Sequence, residues 1–164
     1  MKKIDISTKT YPNTFTLVDN DLYDYLNQWK WHYDNGYAFR RSYFKDNGKL
    51  KYVNVYMHDL IIEKNGLTID HIDRNGLNNC KSNLRNATWA QNMQNRKTSK
   101  NNTKTKGVFF SNTGKRIKRW MAQISVNKKR IYLGRYLTKQ EASEAYDKAA
   151  KSYFGEFACL NNTL

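Results

Sequence analysis

The chain has 164 residues, with 29 Lys and Arg against 14 Asp and Glu, which gives a formal net charge of +15. This length suits one ordinary domain or two to three small modules, and so basic a chain usually binds a polyanion, with nucleic acid the first candidate. No apolar run approaches the roughly 20 residues of a membrane span, and residues 1–5 lack the apolar core of a signal peptide, so we expect a soluble intracellular protein.

The N-terminal third contains three short runs rich in β-branched and aromatic residues, which predict strands. They lie at residues 15–18, 37–39 and 52–56. Asn-Gly pairs at residues 35–36 and 47–48 predict turns. We therefore predict a β-rich unit over residues 1–56.

Within this unit, Leu22 and Leu26 stand at helical spacing after capping-type residues, which predicts a short helix between two strands. The aromatic residues Trp29, Trp31 and Tyr33 are expected to form its core. A base-stacking platform is the alternative interpretation of the same three rings.

The middle of the chain contains the densest group of chemically active side chains. Asp70 and His71 follow a short β-branched run, and the Asn75-Gly76 pair after them favours a hairpin. Thr88-Trp89-Ala90-Gln91 has the T-x-x-Q form of a capping box, which predicts a helix that starts at Thr88 and carries Asn92. A hairpin followed by a helix would bring Asp70, His71 and Asn92 within reach of one another.

These three side chains suit phosphodiester hydrolysis, which needs a base for the attacking water and a cation for the developing charge. The carboxylate of Asp70 and the amide oxygen of Asn92 are hard donors that favour Mg²⁺ or Mn²⁺ over zinc. Neighbouring side chains on a strand point to opposite sides, so His71 is expected to be the base and not a ligand.

Two cysteines, Cys80 and Cys159, stand far apart in the sequence and have no nearby cysteine partner. This spacing argues against a disulfide framework and against a structural zinc site. We expect both thiols to be reduced and unreactive.

Residues 94–106 contain no aliphatic or aromatic side chain and carry five basic residues, which is typical of a linker. We place the linker at residues 97–104. It is either a solvated tether or a segment that lies along phosphates, and the composition leaves both open.

The C-terminal segment, residues 105–164, predicts a three-stranded antiparallel sheet and one helix. Strands are expected at 108–110, 119–125 and 130–134, and Thr138-Lys139-Gln140-Glu141 is a capping box that opens an Ala-rich helix. Alternation assigns Trp120, Ala122 and Ile124 to the core face of the sheet and leaves a basic and polar face outside. Because residues 104–139 contain eleven basic residues and no acidic one, we expect this face to bind nucleic acid.

The middle of the chain resembles the HNH nuclease motif of phage and intron-encoded homing endonucleases. The matching segments are Asp70-His71, Gly76-Leu77-Asn78-Asn79, Asn83-Leu84-Arg85 and Gln91-Asn92-Met93-Gln94-Asn95-Arg96. The resemblance implies that Asp70 and Asn92 bind the metal and that His71 is the general base. It also implies structural roles for Asn79 and Asn83, within a ββα-metal module at residues 57–96.

His58 matches an earlier His-Arg-Leu of the same family, except that Asp59 replaces the arginine. The resemblance places His58 among the catalytic candidates. Its role is either a fold-stabilising hydrogen bond or a direct contact with the phosphate. His32, beside the tryptophans, is expected to be structural.

Residues 105–164 resemble the Apetala-two or ethylene-response-factor domain, through Gly107-Val108, Trp120-x-Ala122-x-Ile124, Tyr132-Leu133-Gly134 and the helix alanines. In that family the three-stranded sheet lies in the major groove of DNA. The matching contact positions are Lys106, Phe109, Ser111, Arg119, Gln123, Ser125, Arg130 and Tyr132. Plant members have arginines at three of these positions, so their base preference cannot be transferred.

Together, these features predict an α+β protein: a β-rich unit, a ββα-metal nuclease module, and a three-stranded sheet packed on one helix. The expected function is homing-type cleavage of double-stranded DNA by a monomer that nicks one strand, with one divalent ion and no small-molecule cofactor, in the cytoplasm of a bacterial host cell. The alternative is a sequence-specific DNA-binding regulator with an inactive nuclease scaffold. An RNA-processing role is a more distant alternative, because the chain has no RNP-type aromatic signature.

Overall fold

The computed structural model describes residues 1–97, 103–112 and 117–161. This part of the chain forms an α+β protein with ten strands in small antiparallel sheets and three α-helices. It divides into two compact units, Met1–Trp89 and Ala90–Leu164. The domain boundaries expected at residues 57, 97 and 105 stay predictions, and residues 98–102 of the expected linker lie outside the described residues.

The first unit begins with two antiparallel strands, β1 (Lys2–Asp5) and β2 (Phe15–Val18), and a short helix, α1 (Tyr23–Asn27). The expected core position of Trp31 is confirmed, because this side chain is 0% exposed. Its indole Nε1 donates to the backbone carbonyl of Leu26 at 2.7 Å, which satisfies the buried N–H. The surrounding buried residues are Ile4, Ile6, Val18, Leu26, Ala38 and Met57.

A second sheet has the order β3 (His32–Asp34), β4 (Tyr37–Asp46), β5 (Lys49–Tyr56), with antiparallel neighbours. Both turns are the expected Asn-Gly pairs, and all four turn residues have positive φ, as type I′ hairpin turns require. The strands β4 and β5 are much longer than the expected runs at 37–39 and 52–56. Their outer residues lack the buried, alternating pattern by which a strand is recognised in a sequence.

A third sheet, formed by one antiparallel pair of strands, carries the central motif. It consists of β6 (Thr68–His71) and β7 (Leu84–Ala87). The expected hairpin is therefore present, but the Asn75-Gly76 pair does not form a tight turn between its strands, because residues 72–83 make a long connection. Before β6, a 3-10 turn spans Met57–Leu60.

The helix α2 (Trp89–Asn95) follows β7 and carries Asn92. In the second unit, the three expected strands are confirmed as β8 (Val108–Phe110), β9 (Trp120–Val126) and β10 (Lys129–Tyr136). They form an antiparallel sheet in the order β10-β9-β8, with an irregularity in β10 between Tyr132 and Gly134. Residues 113–116, between β8 and β9, lie outside the described residues.

The last helix, α3 (Lys139–Phe154), begins with the expected capping box. The hydroxyl of Thr138 accepts from the backbone N–H of Glu141 at 3.2 Å, and the Glu141 carboxylate accepts from the Thr138 N–H at 3.2 Å. Residues from the helix and the sheet form one core: Val108, Ala122, Ile124, Ala142, Tyr146 and Ala150. No helix in the described residues is long and apolar enough to cross a membrane.

Candidate active site

Asp70 lies on β6, and its side chain is only 4% exposed. Its neighbour across the sheet is Arg85 on β7. Oδ2 of Asp70 accepts a hydrogen bond from Nε of Arg85 at 2.9 Å, and Nη2 of the same guanidinium lies 2.8 Å away. Burying a carboxylate alone costs several kcal/mol, so this cation balances the charge of Asp70. In the sequence, Arg85 was identified only as part of the matching segment Asn83-Leu84-Arg85.

His71, the next residue, is 6% exposed, and its Nε2 lies 3.2 Å from Oδ1 of Asn79. The amide orientation of Asn79 is set by its other end, where Nδ2 donates to Oγ1 of Thr16 at 2.8 Å. Since an amide oxygen can only accept, Nε2 of His71 must carry the proton in this contact. The neutral ring then has Nδ1 as its basic nitrogen.

Thr16 extends this chain of hydrogen bonds into β2. Its hydroxyl donates to the carbonyl of Leu77 at 2.8 Å. The backbone of Leu17 makes two further hydrogen bonds of 2.8 Å. Its N–H donates to the carbonyl of Leu77, and its carbonyl accepts from the N–H of Asn79. Thr16 on β2, which lies 63 positions before Asn79 in the chain, thus helps to position the Asn79 amide that contacts His71.

Burial lowers the pKa of His71, although the Asn79 hydrogen bond and the carboxylates of Asp73 and Asp70 oppose this effect. A lowered pKa favours the neutral imidazole at neutral pH. That is the form that can accept a proton from water.

The ring of His58 packs edge-on against the ring of His71, with centroids 5.2 Å apart and an interplanar angle of 87°. The His58 ring also stacks on the ring of Tyr56, with centroids 5.6 Å apart and an interplanar angle of 13°. Tyr37 contacts both imidazoles, at 5.7 Å from His58 and 5.8 Å from His71. The two histidines therefore belong to one cluster of packed rings with Tyr37 and Tyr56, which the sequence did not predict.

Burial and the neighbouring charge of His71 lower the pKa of His58 to about 4, although Asp59 opposes the shift. Nε2 of His58 lies 3.3 Å from Oδ1 of Asp59, and the other oxygen of that carboxylate pairs with Nζ of Lys64 at 2.9 Å. Asp59, which departs from the family pattern, thus lies beside His58. Of the two expected roles, this packing favours a structural one.

The connection between β6 and β7 is organised by Asp73. Its Oδ1 accepts from the N–H of Asn75 at 2.8 Å and from Nδ2 of Asn83 at 2.9 Å, and its Oδ2 accepts from Nδ2 of Asn78 at 2.8 Å. Burial opposes ionisation, but these hydrogen bonds keep the pKa of Asp73 below its usual value. Asn83 is buried and also bonds the backbone of Asp73 and Asn78, so it ties the two ends of the loop together.

Gly76 allows this loop to pack closely against the turn before β4. A Cβ atom on Gly76 would lie 2.4 Å from the carbonyl oxygen of Gly36 and 2.6 Å from the ring of Tyr37. The role of this glycine is therefore close packing and not the hairpin turn that its Asn-Gly pair suggested. Thr16 and Tyr37 are site residues without a local sequence signal.

Asn92 lies on α2, where its side chain is half-buried. A carboxylate and an amide are the oxygen donors that Mg²⁺ and Mn²⁺ prefer, so the donor types of Asp70 and Asn92 fit such an ion. The described residues contain no group of three or more His, Cys, Asp and Glu side chains that could bind a metal.

The expected DNA-binding residues of the second unit lie mostly on the sheet face opposite α3. Residues that pair directly across antiparallel strands point to the same side. The pairs on this face are Phe109 with Met121, Tyr132 with Gln123, and Arg130 with Ser125. Tyr132, Arg130 and Ser125 are exposed, as is Arg119 just before β9, whereas Phe109, Ser111 and Gln123 are half-buried.

Lys106 has a different environment from the other expected contacts. Its Nζ donates to the backbone carbonyl of Gln94 and, at 2.7 Å, to that of Arg96, beside the C-terminal end of α2. A cation at this end of a helix stabilises the unpaired carbonyls. The structure therefore gives Lys106 an internal partner that the sequence did not predict.

The chain is similar to an uncharacterized HNH endonuclease of Acanthamoeba polyphaga mimivirus. The two sequences are 33% identical over 152 residues, which cover 90% of this chain and 75% of the relative. No protein-family model matches the chain. The similarity spans the Asp70-His71 site as well as the C-terminal sheet, and on this basis the chain belongs to the HNH endonuclease family.

Proposed function

We propose that the protein is a metal-dependent endonuclease that hydrolyses a phosphodiester of double-stranded DNA, with His71 as the general base. The observation that carries this proposal is the buried, oriented imidazole of His71 next to the buried carboxylate of Asp70. The resemblance to homing endonucleases supports a reaction of the homing type, and a monomer with one active site is expected to nick one strand.

His71 would take the proton of the attacking water at Nδ1. The hydrogen bond to Asn79 supports this role, because it keeps the proton of the neutral ring on Nε2. The rings of Tyr37 and His58 restrict the orientation of the imidazole, so little reorientation is needed before proton transfer. In this proposal, Asn79 and His58 position the base and do not themselves exchange protons.

Asp70 and Asn92 would hold one Mg²⁺ or Mn²⁺. When bound, the ion would neutralise charge on the phosphate and on the departing oxygen. Arg85 supports the proposal, because its contacts with Oδ2 restrain the Asp70 carboxylate at one orientation. The ββα-metal module, residues 57–96, is the proposed catalytic domain.

The Apetala-two-like segment, residues 105–164, would select the site on the duplex. Its outer sheet face combines exposed cations with polar side chains, which suits contacts with phosphates and base edges. Arg119, Gln123 and Arg130 are the proposed base-reading residues, since Arg and Gln form paired hydrogen bonds with bases in the major groove. The protein would act as a monomer.

The proposal is tested by cleavage assays with Mg²⁺ or Mn²⁺ on a library of DNA duplexes. We expect His71→Ala and Asp70→Asn to reduce cleavage at least about 100-fold, because each removes a group required at the reacting phosphate. DNA affinity should change little. His32→Ala is the matched control, since it removes a half-buried imidazole outside the site.

Cleavage by His71→Ala at the wild-type rate would contradict the assigned base. If the wild-type protein binds a duplex tightly but cuts none with either ion, the DNA-binding regulator becomes the better explanation. The basic outer face of the C-terminal sheet is the observation that favours that second function.

A further inference from the structure

The β4–β5 hairpin extends well beyond the core that anchors its base. At the base, Ala38 is buried, and the guanidinium of Arg40 lies over the ring of Trp29 at 4.6 Å. Six more residue pairs follow, from Arg41 with Asn54 to Asp46 with Lys49. They span roughly 20 Å, and every side chain among them is exposed or half-buried. A two-stranded ribbon of this kind gains little stability from itself, so core packing does not account for its length.

The two faces of this ribbon differ in chemistry. One face, called the ribbon face below, carries six residues by strand pairing and alternation: Arg41, Tyr43, Lys45, Leu50, Tyr52 and Asn54. Tyr43 is 59% exposed and Tyr52 is 53% exposed, and their rings lie 6.0 Å apart. The guanidinium of Arg41 lies over the Tyr52 ring at 4.7 Å. The ribbon face therefore presents cations and flat rings without an acidic side chain.

The opposite face has a different character. It carries Asp46, the acidic residue of the hairpin, which forms an ion pair with Lys51. Towards the base the same face turns into the protein core through Ala38 and Arg40. The ribbon face is thus open along its length and carries two cations, Arg41 and Lys45, with no acidic side chain beside them.

The ribbon face continues directly into the candidate active site. Phe39 pairs with Tyr56 at its inner end, and Tyr37 lies on the same side two residues earlier. Tyr56 stacks on His58, and Tyr37 contacts His71. A ligand lying along the ribbon face therefore has one end beside the proposed catalytic base.

We propose that the ribbon face binds duplex DNA by entering the major groove next to the phosphodiester that is cut. Two paired strands are about 5 Å apart, and a groove about 12 Å wide admits such a ribbon. Arg41 and Lys45 match the negative charge of the backbone, and the exposed tyrosine rings can pack against bases or sugars. The inference rests on the proposed endonuclease function and adds a second DNA contact to the C-terminal sheet.

The test compares two charge-matched double variants of the full chain. Arg41→Ser with Lys45→Ser removes two cations from the ribbon face, and Lys49→Ser with Lys51→Ser removes two from the opposite face of the same hairpin. Affinity for a mixed-sequence duplex is measured over a range of salt concentrations. We expect the ribbon-face variant to bind about tenfold more weakly, with a salt slope smaller by about two, and the control to bind nearly as wild type.

Circular dichroism and thermal midpoints equal to those of the wild type show that both variants are folded. Equal losses of affinity in the two variants would overturn the proposal, since the hairpin would then contribute only diffuse charge. Unchanged binding and cleavage by the ribbon-face variant would also overturn it while leaving the endonuclease function intact. A wild-type protein that neither binds nor cuts any duplex would overturn the endonuclease function as well as the ribbon proposal.

Discussion

The proton position on His71 depends on side chains from three separate segments. Nε2 of His71 contacts Asn79, Asn79 donates to Thr16, and Thr16 donates to the backbone of Leu77. The carbonyl of Leu77 can only accept, so the Thr16 hydroxyl donates to it and accepts from Nδ2 of Asn79. Oδ1 of Asn79 then faces His71 and can only accept from it. We therefore assign Thr16 a positioning role in the proposed reaction, exerted through Asn79.

We predict that Thr16→Val reduces the cleavage rate about tenfold, because Asn79 loses the acceptor that fixes its amide orientation. Stability should also fall by about 1–2 kcal/mol, since a buried N–H loses its partner. Single-turnover cleavage across a range of pH values measures the first effect, and chemical denaturation measures the second. Thr68→Val is the control, because that hydroxyl bonds only the carbonyl of Ala87 among the contacts described. A normal rate and pH profile in a destabilised Thr16→Val would contradict the positioning role.

His58 makes the fold sensitive to acid. Its pKa is about 4 in the folded protein, against 6.5 for an unperturbed histidine, so the unfolded chain binds a proton more readily. The contribution of His58 to the free energy of unfolding is fully present above about pH 6.5. It is lost as the pH falls towards 4, by about 3 kcal/mol in total. Urea denaturation at these two pH values measures the loss. His58→Phe should reduce it, His32→Phe should not, and an equal loss in all three proteins would exclude His58 as the cause.

At the level of elements, the second unit depends on close packing between the start of β8 and α3. Gly107 has φ of +68°, and a Cβ atom there would lie 2.0 Å from the ring of Tyr146 and 2.5 Å from the carbonyl oxygen of Gln123. Tyr146 is itself buried in the core of this unit. The glycine is thus required by its backbone conformation and by the adjacent helix together.

We predict that Gly107→Ala destabilises the protein by about 3 kcal/mol or more, through backbone strain and overlap with the Tyr146 ring. Gly66→Ala is the matched control, because Gly66 also has positive φ, at +76°, but a Cβ atom there would have no neighbouring atom within 4 Å. It should cost only about 1 kcal/mol. Chemical denaturation of the full chain, followed by circular dichroism, gives both values. Equal costs would show that the Tyr146 contact does not limit this position.

At the scale of the whole molecule, the proposed functional residues are distributed over both units. The first contains Asp70 and His71, and the second contains Asn92 as well as the basic sheet face. The charge is uneven as well, since residues 104–164 carry 13 basic and 4 acidic residues. Long-range attraction of DNA should therefore depend strongly on the second unit.

We predict that Arg119→Ala with Arg130→Ala weakens DNA binding about tenfold and lowers the salt slope by about two, since two cationic contacts are lost. The measurement is affinity for a cleavable duplex over a range of salt concentrations. Lys148→Ala with Lys151→Ala is the control, because it removes the same charge from exposed positions on α3. If both variants lose the same affinity, the sheet face has no special part in binding.

Local patterns in the sequence were enough to predict the second unit closely. Period-two alternation identified β9 and its buried Ala122 and Ile124, and the capping box located the start of α3. These features depend on neighbours within a few residues, which is why they can be recognised without a structure. The Asp70-His71 pair was found in the same way, as a chemical motif on a short strand.

The sequence by itself therefore determined the main elements and the residue types of the site. Only the tertiary structure decided their environment: Arg85 against Asp70, Thr16 behind Asn79, and His58 packed on His71. These contacts join residues up to 63 positions apart, and no periodic pattern records them. The ribbon face was missed for a related reason, because its outer residues are not buried and a hydrophobic pattern marks only strands that contribute to a core.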